Sequence, residues 1–177
     1  MSIISTIAPQ DATGRVAEIY GQIQEAFGRV PNAFQLYSAS PAVLENQWQN
    51  TGYYFRHPSL GFPLLASIRM LVSSHNDCAY CIGMNEAMLI QRAGFTPEQT
   101  AAMKRDPSAA PLPEKDKAML LFVLKATGTP QAVGADNVAA LRRLGWTEQD
   151  IFDAVNHGAR NVAVDILFNT FKIVNDF

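Results

Sequence analysis

The sequence specifies an all-α protein. Apolar residues recur at spacings of three and four along most of its length, helix-starting and helix-stopping residues separate these stretches, and nothing alternates as a half-buried strand would. At 177 residues the chain can bury one sizeable core, and a single domain over 1–177 is expected, with 1–60 as an N-terminal helical part and 61–177 as the core.

Between Asp11 and Phe27, the residues Val16, Ile19, Tyr20, Ile23 and Phe27 form one apolar stripe, and Gly28 and Pro31 end it. Ser40-Pro41 opens a second helix through Val43, Leu44 and Trp48, which His57-Pro58 stops. Phe62-Pro63 begins the segment LLASIRMLVSS, too long for a typical buried strand and free of internal Gly or Pro, so it reads as a mostly buried helix. Asn76 or Asp77 is the expected cap of the next helix, running from about Cys78 to Arg92 and closed by Gly94. Thr96-Pro97-Glu98-Gln99 starts a short helix that ends near Asp106-Pro107. Pro113-Glu114 starts another, with Ala118, Leu121, Phe122 and Leu124 expected inward, ended by Gly128-Thr129-Pro130. A helix over 135–144 is stopped by Gly145. Thr147-Glu148-Gln149-Asp150 then caps a long last one, with Ile151, Val155, Ala159, Val162, Ile166 and Phe171 at helical spacing. The sum is seven or eight helices.

The net charge of −2 and the absence of a basic cluster argue against a nucleic-acid partner. Hydrophobic residues at 48% and charged residues at 17% describe an ordinary globular composition. With no secretory signal pattern and no apolar run of membrane-spanning length, a cytoplasmic protein with no membrane association is expected.

The chemistry concentrates in His75-Asn-Asp-Cys-Ala-Tyr-Cys-Ile-Gly-Met-Asn-Glu86, which holds the only two cysteines, Cys78 and Cys81. In a reducing cytosol a lone C-x-x-C is not a structural disulfide framework. Redox chemistry gains weight, against a structural pair of buried cysteines and against half a metal site. Three helical residues turn the chain through about 300°, so the two thiols share a face and can close a disulfide. A cysteine in the first helical turn has its thiolate favoured by unpaired N–H groups and the helix dipole, which singles out Cys78. Asn85 stacks beside both thiols, Glu86 is rotated away, and His75 lies just before the cap, from where its imidazole reaches either the sulfurs or solvent. A tetrahedral zinc needs four ligands, and His57, His75 and His157 show no paired spacing, so no metal or other cofactor is expected. Arg69 reads as a surface or interface residue and His157 as a structural one. Asp165 and Asn169 read as helix–helix contacts.

The apolar helix, then Asn76-x-Cys78-x-Tyr80-Cys81, a helix, a Gly94-Phe95-Thr96 turn and an acidic capped helix resemble the core of the carboxymuconolactone decarboxylase and alkylhydroperoxidase D-like superfamily. Its peroxidase-related branch is the better match, since Gly28-x-x-Pro31-Asn32, Pro41, Trp48 and the final Phe168-Asn169-x-Phe171 also resemble that branch. The resemblance implies an all-α fold that assembles into dimers, trimers or hexamers. It also implies reduction of hydroperoxides through the cysteine pair, with an external dithiol or protein reductant. It makes Cys81 peroxidatic and Cys78 resolving, whereas the helix terminus favours the reverse, and both assignments stay open. In the family's active pattern a glutamate twelve residues before the first cysteine and a histidine four after the second relay protons. Here those places hold Ala66 and Asn85, and no Asp or Glu lies between Glu45 and Asp77. Positioned acid–base groups contribute about 100- to 10,000-fold, so the expected function is a weakened thiol peroxidase. The alternative is an impaired oligomeric binding or redox-sensing protein of the same fold. Lactone decarboxylation, the namesake activity, finds no supporting residue set.

Overall fold

The computed structural model describes residues 2–177, and among them every regular element is helical. The helices are α1 (Gly14–Phe27), α2 (Asn32–Tyr37), α3 (Pro41–Phe55), α4 (Phe62–His75), α5 (Ala79–Ala93), α6 (Pro97–Arg105), α7 (Glu114–Gly128), α8 (Ala135–Arg143) and α9 (Glu148–Thr170). Short 3₁₀ turns occupy Pro9–Asp11, Pro107–Ala109 and Pro130–Ala132. None of the helices is long and apolar enough to cross a membrane.

The chain divides into two compact units. One holds the residues up to His57 together with Phe168–Asp176, and the other holds Pro58–Leu167 with Phe177. In the first, α1 buries Val16, Ile19, Tyr20 and Ile23, as its stripe requires, and ends at Gly28, whose φ of 76° needs the left-handed region. The rings of Phe27, Phe34, Phe55 and Trp48 cluster with centroids 5.6 to 6.4 Å apart. α2 is absent from the sequence reading. Its six residues are too few for a periodic signal, and it exists because Ala33, Phe34, Leu36 and Tyr37 are buried.

In the second unit α4 is the central element, packed on α5 and α7. Its apolar run leaves Leu64, Leu65, Ala66, Ile68, Met70, Leu71 and Val72 buried, as expected of a helix covered on several sides. α6 starts with a full capping box in which Thr96 and Gln99 satisfy each other's backbone N–H groups. Thr147 and Asp150 exchange the same kind of bonds at the start of α9. Glu86 leaves α5 toward α6, where Thr100 and Lys104 donate to it at 2.8 Å. Burial pushes its carboxyl up, but the bonds from Lys104 and Thr100 outweigh that and hold it below its ordinary value.

Three expectations change. The cap of α5 is neither Asn76 nor Asp77 but Cys78, and the helix begins at Ala79. Asp77 instead takes a left-handed φ of 51°, which Asp tolerates better than most residues, and this tightens the link from α4 to α5. In α7 the inward residues are Met119, Leu120, Phe122 and Val123, while Leu121 is exposed. In α9 the expected apolar stripe faces the core only in part: Ile151 is buried, and Val155 and Val162 are half-buried. Ala159 and Ile166 are exposed, and the buried face carries Asp153, His157, Asn161 and Asp165 beside Ile151 and Ala154.

Candidate functional site

The link from α4 to α5 sets the position of the thiols. The amides of Asn76 and Cys78 both return to the Ser73 carbonyl, at 3.2 and 3.1 Å, so the chain reverses within a few residues and delivers Cys78 beside the end of α4. Cys81 follows on the first turn of α5. Both cysteines are free and buried. Their sulfurs and one carboxylate oxygen of Asp165 all lie within 4.8 Å of one another.

Asp165 comes from α9 and is wholly buried. The Ser73 hydroxyl donates to Oδ1 at 2.7 Å and the Asn76 side-chain amide to Oδ2 at 2.9 Å. Asn161, one turn earlier on α9, donates to both oxygens at 3.3 to 3.4 Å and to the Ser73 hydroxyl oxygen at 2.7 Å. Ser73 thus accepts from one side and donates to the other, which fixes its proton toward Asp165.

A second cluster, of Arg69, Asn85 and His157, lies near Cys81. Arg69 donates from Nε to Asn85 Oδ1 at 2.7 Å, and its Nη1 meets His157 Nε2 at 3.2 Å. Asn85 in turn donates to the Cys81 carbonyl at 2.8 Å. Its amide therefore bridges Arg69 to the backbone of the cysteine helix. Desolvation lowers the Arg69 pKa to about 10, and the proximity of Cys81 opposes that fall. His75 is exposed, and its Nδ1–H donates to the Leu71 carbonyl at 3.2 Å, one turn back on its own helix. Its imidazole takes the solvent-facing of its two expected directions.

The thiols do not titrate alike. The Cys81 S–H donates to Cys78 and holds the Cys78 pKa below its ordinary value, against burial, which pushes it up. The Cys81 backbone N–H adds to this while falling short of a formal cap hydrogen bond. Cys81 is driven strongly upward by that same bond, then by its own burial and by the charges of Cys78 and Asp165. The two thiols titrate as a coupled pair, with the lowered pKa on the sulfur at the helix terminus and the raised one on its neighbour. Reciprocity means that Arg69 favours charge on Cys81, but burial, Cys78 and Asp165 outweigh it.

Cys78, Cys81 and Asp165 are the one group of potential metal ligands that comes together among the described residues. They leave a tetrahedral ion one ligand short.

The structure places the Cys78 and Cys81 sulfurs close together and turns the Asn85 amide to Arg69 and the Cys81 carbonyl, and the sequence reading missed Asp165, Ser73, Asn161 and the placement of Arg69 and His157. The available signal was the spacing of Asp153, His157, Asn161 and Asp165, polar residues at every fourth position along one line of the last helix, which is a polar stripe aimed at a partner.

No protein-family profile matches this sequence, and no curated protein matches it. Solved structures do. An uncharacterized peroxidase-related protein from Ralstonia eutropha JMP134, solved as an alkylhydroperoxidase AhpD core, superposes with a TM-score of 0.87 at 21% identity, over 99% of this chain and 92% of that one. An uncharacterized peroxidase-related protein from Silicibacter sp. TM1040 gives 0.80 at 22% identity, over 90% and 84%. A protein of unknown function from Agrobacterium tumefaciens, put forward as an antioxidant defence protein AhpD, gives 0.66 at 17%, over 80% and 95%. The chain has the fold of the AhpD-like proteins, and at these identities the likeness speaks for the fold alone.

Proposed function

We propose that this protein is a thiol-dependent oxidoreductase that reduces hydroperoxides through a Cys78/Cys81 dithiol–disulfide cycle. The observation that carries the reading is the pair of free thiols side by side at the start of α5, one favoured as thiolate and the other donating to it. The AhpD-like fold supports it. The Cys78 thiolate attacks a peroxide oxygen, giving a sulfenic acid and an alkoxide that takes up a proton to leave as alcohol. Cys81 then attacks the Cys78 sulfur, closing the disulfide and releasing water. The sum is dithiol plus hydroperoxide to disulfide, alcohol and water, and an external dithiol or protein reductant restores the thiols. This assignment makes Cys78 the nucleophile, as the helix terminus favours. The cycle belongs in a reducing cytoplasm and needs no cofactor.

The test is stopped-flow oxidation of the reduced protein by hydrogen peroxide and an organic hydroperoxide. Oxidation well above the rate of free cysteine, with one disulfide formed per peroxide, is expected. A rate no faster than free cysteine removes the reading.

The burial of both thiols, with Ala66 and Asn85 at the places of the relay, favours one second reading: an oligomeric redox sensor that oxidises stoichiometrically. Sustained peroxide consumption with excess dithiothreitol separates turnover from sensing.

A further inference from the structure

We infer that Asp165 is the acid–base residue of this dithiol, taking the proton of Cys81 as the disulfide closes and returning it when the disulfide is reduced. The inference rests on the dithiol reading above and adds a residue that sequence spacing assigned to helix packing.

A fully buried carboxylate is costly unless it is paired or held by donors. Asp165 has no ion-pair partner among the described residues. Its donors are neutral, and the strong ones are Ser73 on Oδ1 and Asn76 on Oδ2. Asn161 reaches both oxygens only at 3.3 to 3.4 Å with a single nitrogen, so these longer contacts are the ones that yield when the oxygen lying within 4.8 Å of both sulfurs takes a thiol proton. The carboxylate opposes the ionisation of both thiols, which keeps their protons on sulfur until a step draws them off. The titratable groups around it are Cys78 and Cys81 on the thiol side, with Arg69 and His157 near Cys81. Asp165 is the one carboxyl group that comes together with both sulfurs among the described residues, and a carboxyl group can take and return a proton. The carboxylate that the helix before the cysteines lacks therefore arrives from the last helix.

With Cys78 oxidised to the sulfenic acid, the Cys81 S–H proton moves to an Asp165 oxygen as the Cys81 sulfur attacks the Cys78 sulfur. The S–O bond breaks, and the leaving hydroxide takes the proton from Asp165 to form water. In reduction, an external thiolate attacks the Cys78 sulfur, the S–S bond breaks, and Asp165 supplies the proton to the departing Cys81 sulfur. The proton that Asp165 holds for this comes from the external thiol.

A carboxylate that merely repels thiolates has the opposite consequence from one that carries protons, and this gives the experiment. In D165N, ultraviolet absorbance of the thiolate should show both thiols ionising at lower pH, because the negative charge is gone. Reduction of the preformed disulfide by dithiothreitol, near neutral pH, should nevertheless slow by about 100-fold, with a flatter pH profile. Reduction as fast as or faster than in the native protein overturns the inference. If D165N does not fold by circular dichroism, D165E keeps the charge and moves the oxygens. Slower exchange at unchanged thiolate content supports the inference, and the native rate overturns it. The exchange assay contains no peroxide, so failure of the peroxidase reading appears separately, as native protein that exchanges with dithiothreitol but ignores hydroperoxides.

Discussion

Cys78 and Cys81 differ by three positions in sequence and by opposite environments in the fold. The Cys81 S–H makes Cys78 the easier thiol to ionise, so the pH at which Cys78 becomes nucleophilic depends on its neighbour. The sign is fixed by the direction of the shift: a lowered thiol pKa keeps the thiolate present as pH falls below the ordinary thiol range. Ultraviolet titration of the native protein should therefore show one thiolate appearing below the usual value and the second only under strongly alkaline conditions. In C81A the donor is lost while burial remains, and the Cys78 thiolate should appear at higher pH. A C81A titration equal to the native one would remove the coupled-pair account. A second residue-scale prediction concerns Ser67, whose buried hydroxyl has no hydrogen-bond partner among the described residues. Leaving such a group unsatisfied costs about 1 to 3 kcal/mol, so S67A should raise stability by about 1 kcal/mol in urea unfolding.

Among the elements, α9 does most to build the site, and it can do so because it lies close to its neighbours. A Cβ added at Gly158 would come within 2.6 Å of Val123 Cγ1 on α7 and 3.1 Å of Thr127 Cγ2, with Ile68 Cγ2 of α4 at 3.6 Å. Helix propensity favours alanine over glycine by about 1 kcal/mol, while overpacking a well-filled core costs about 1 to 3. Since Val123 is fully buried and has little room to yield, G158A should be destabilising by about 1 kcal/mol in thermal or denaturant unfolding. Moving α9 off α7 to relieve this clash should also disturb the Ser73–Asp165 contact, so the same variant should slow disulfide exchange. An unchanged melting temperature would show that α7 gives way easily. Most helices were legible from caps and periodicity, as the Thr96 box, the Gly28 and Gly94 termini and the α4 run illustrate. The facing of α7 and α9 was not. Leu121 and Ile166 are apolar at the right spacing, and which stripe turns inward depends on partners remote in sequence.

At the scale of the whole molecule, the outward stripe of α9 has a consequence for assembly. Phe152 and Ile166 are 72% and 60% exposed and lie on nearly the same face, since fourteen residues complete almost four helical turns, with the small Ala159 and Ala163 exposed between them. An exposed apolar stripe of this kind suits a second copy of the chain. The expected result is a homo-oligomer by sedimentation, shifted toward smaller species in F152E, whereas a monomeric native protein would remove the proposal. The sequence by itself determined the all-α class, the order of the longer helices, the placing of the two thiols on one helix start and the lack of a Glu/His relay at Ala66 and Asn85, because caps, periodicity and i, i+3 spacing are local. Only the tertiary structure decided that Asp165, more than eighty residues later, stands against both sulfurs, that Asn85 serves Arg69 and a backbone carbonyl, and that His75 faces solvent. The place of Asp165 depends on how α9 sits against α4 and α7, which involves the Ser73–Asn161–Asp165 bonds to α4 and the close approach of Gly158 to α7, contacts between residues remote in sequence.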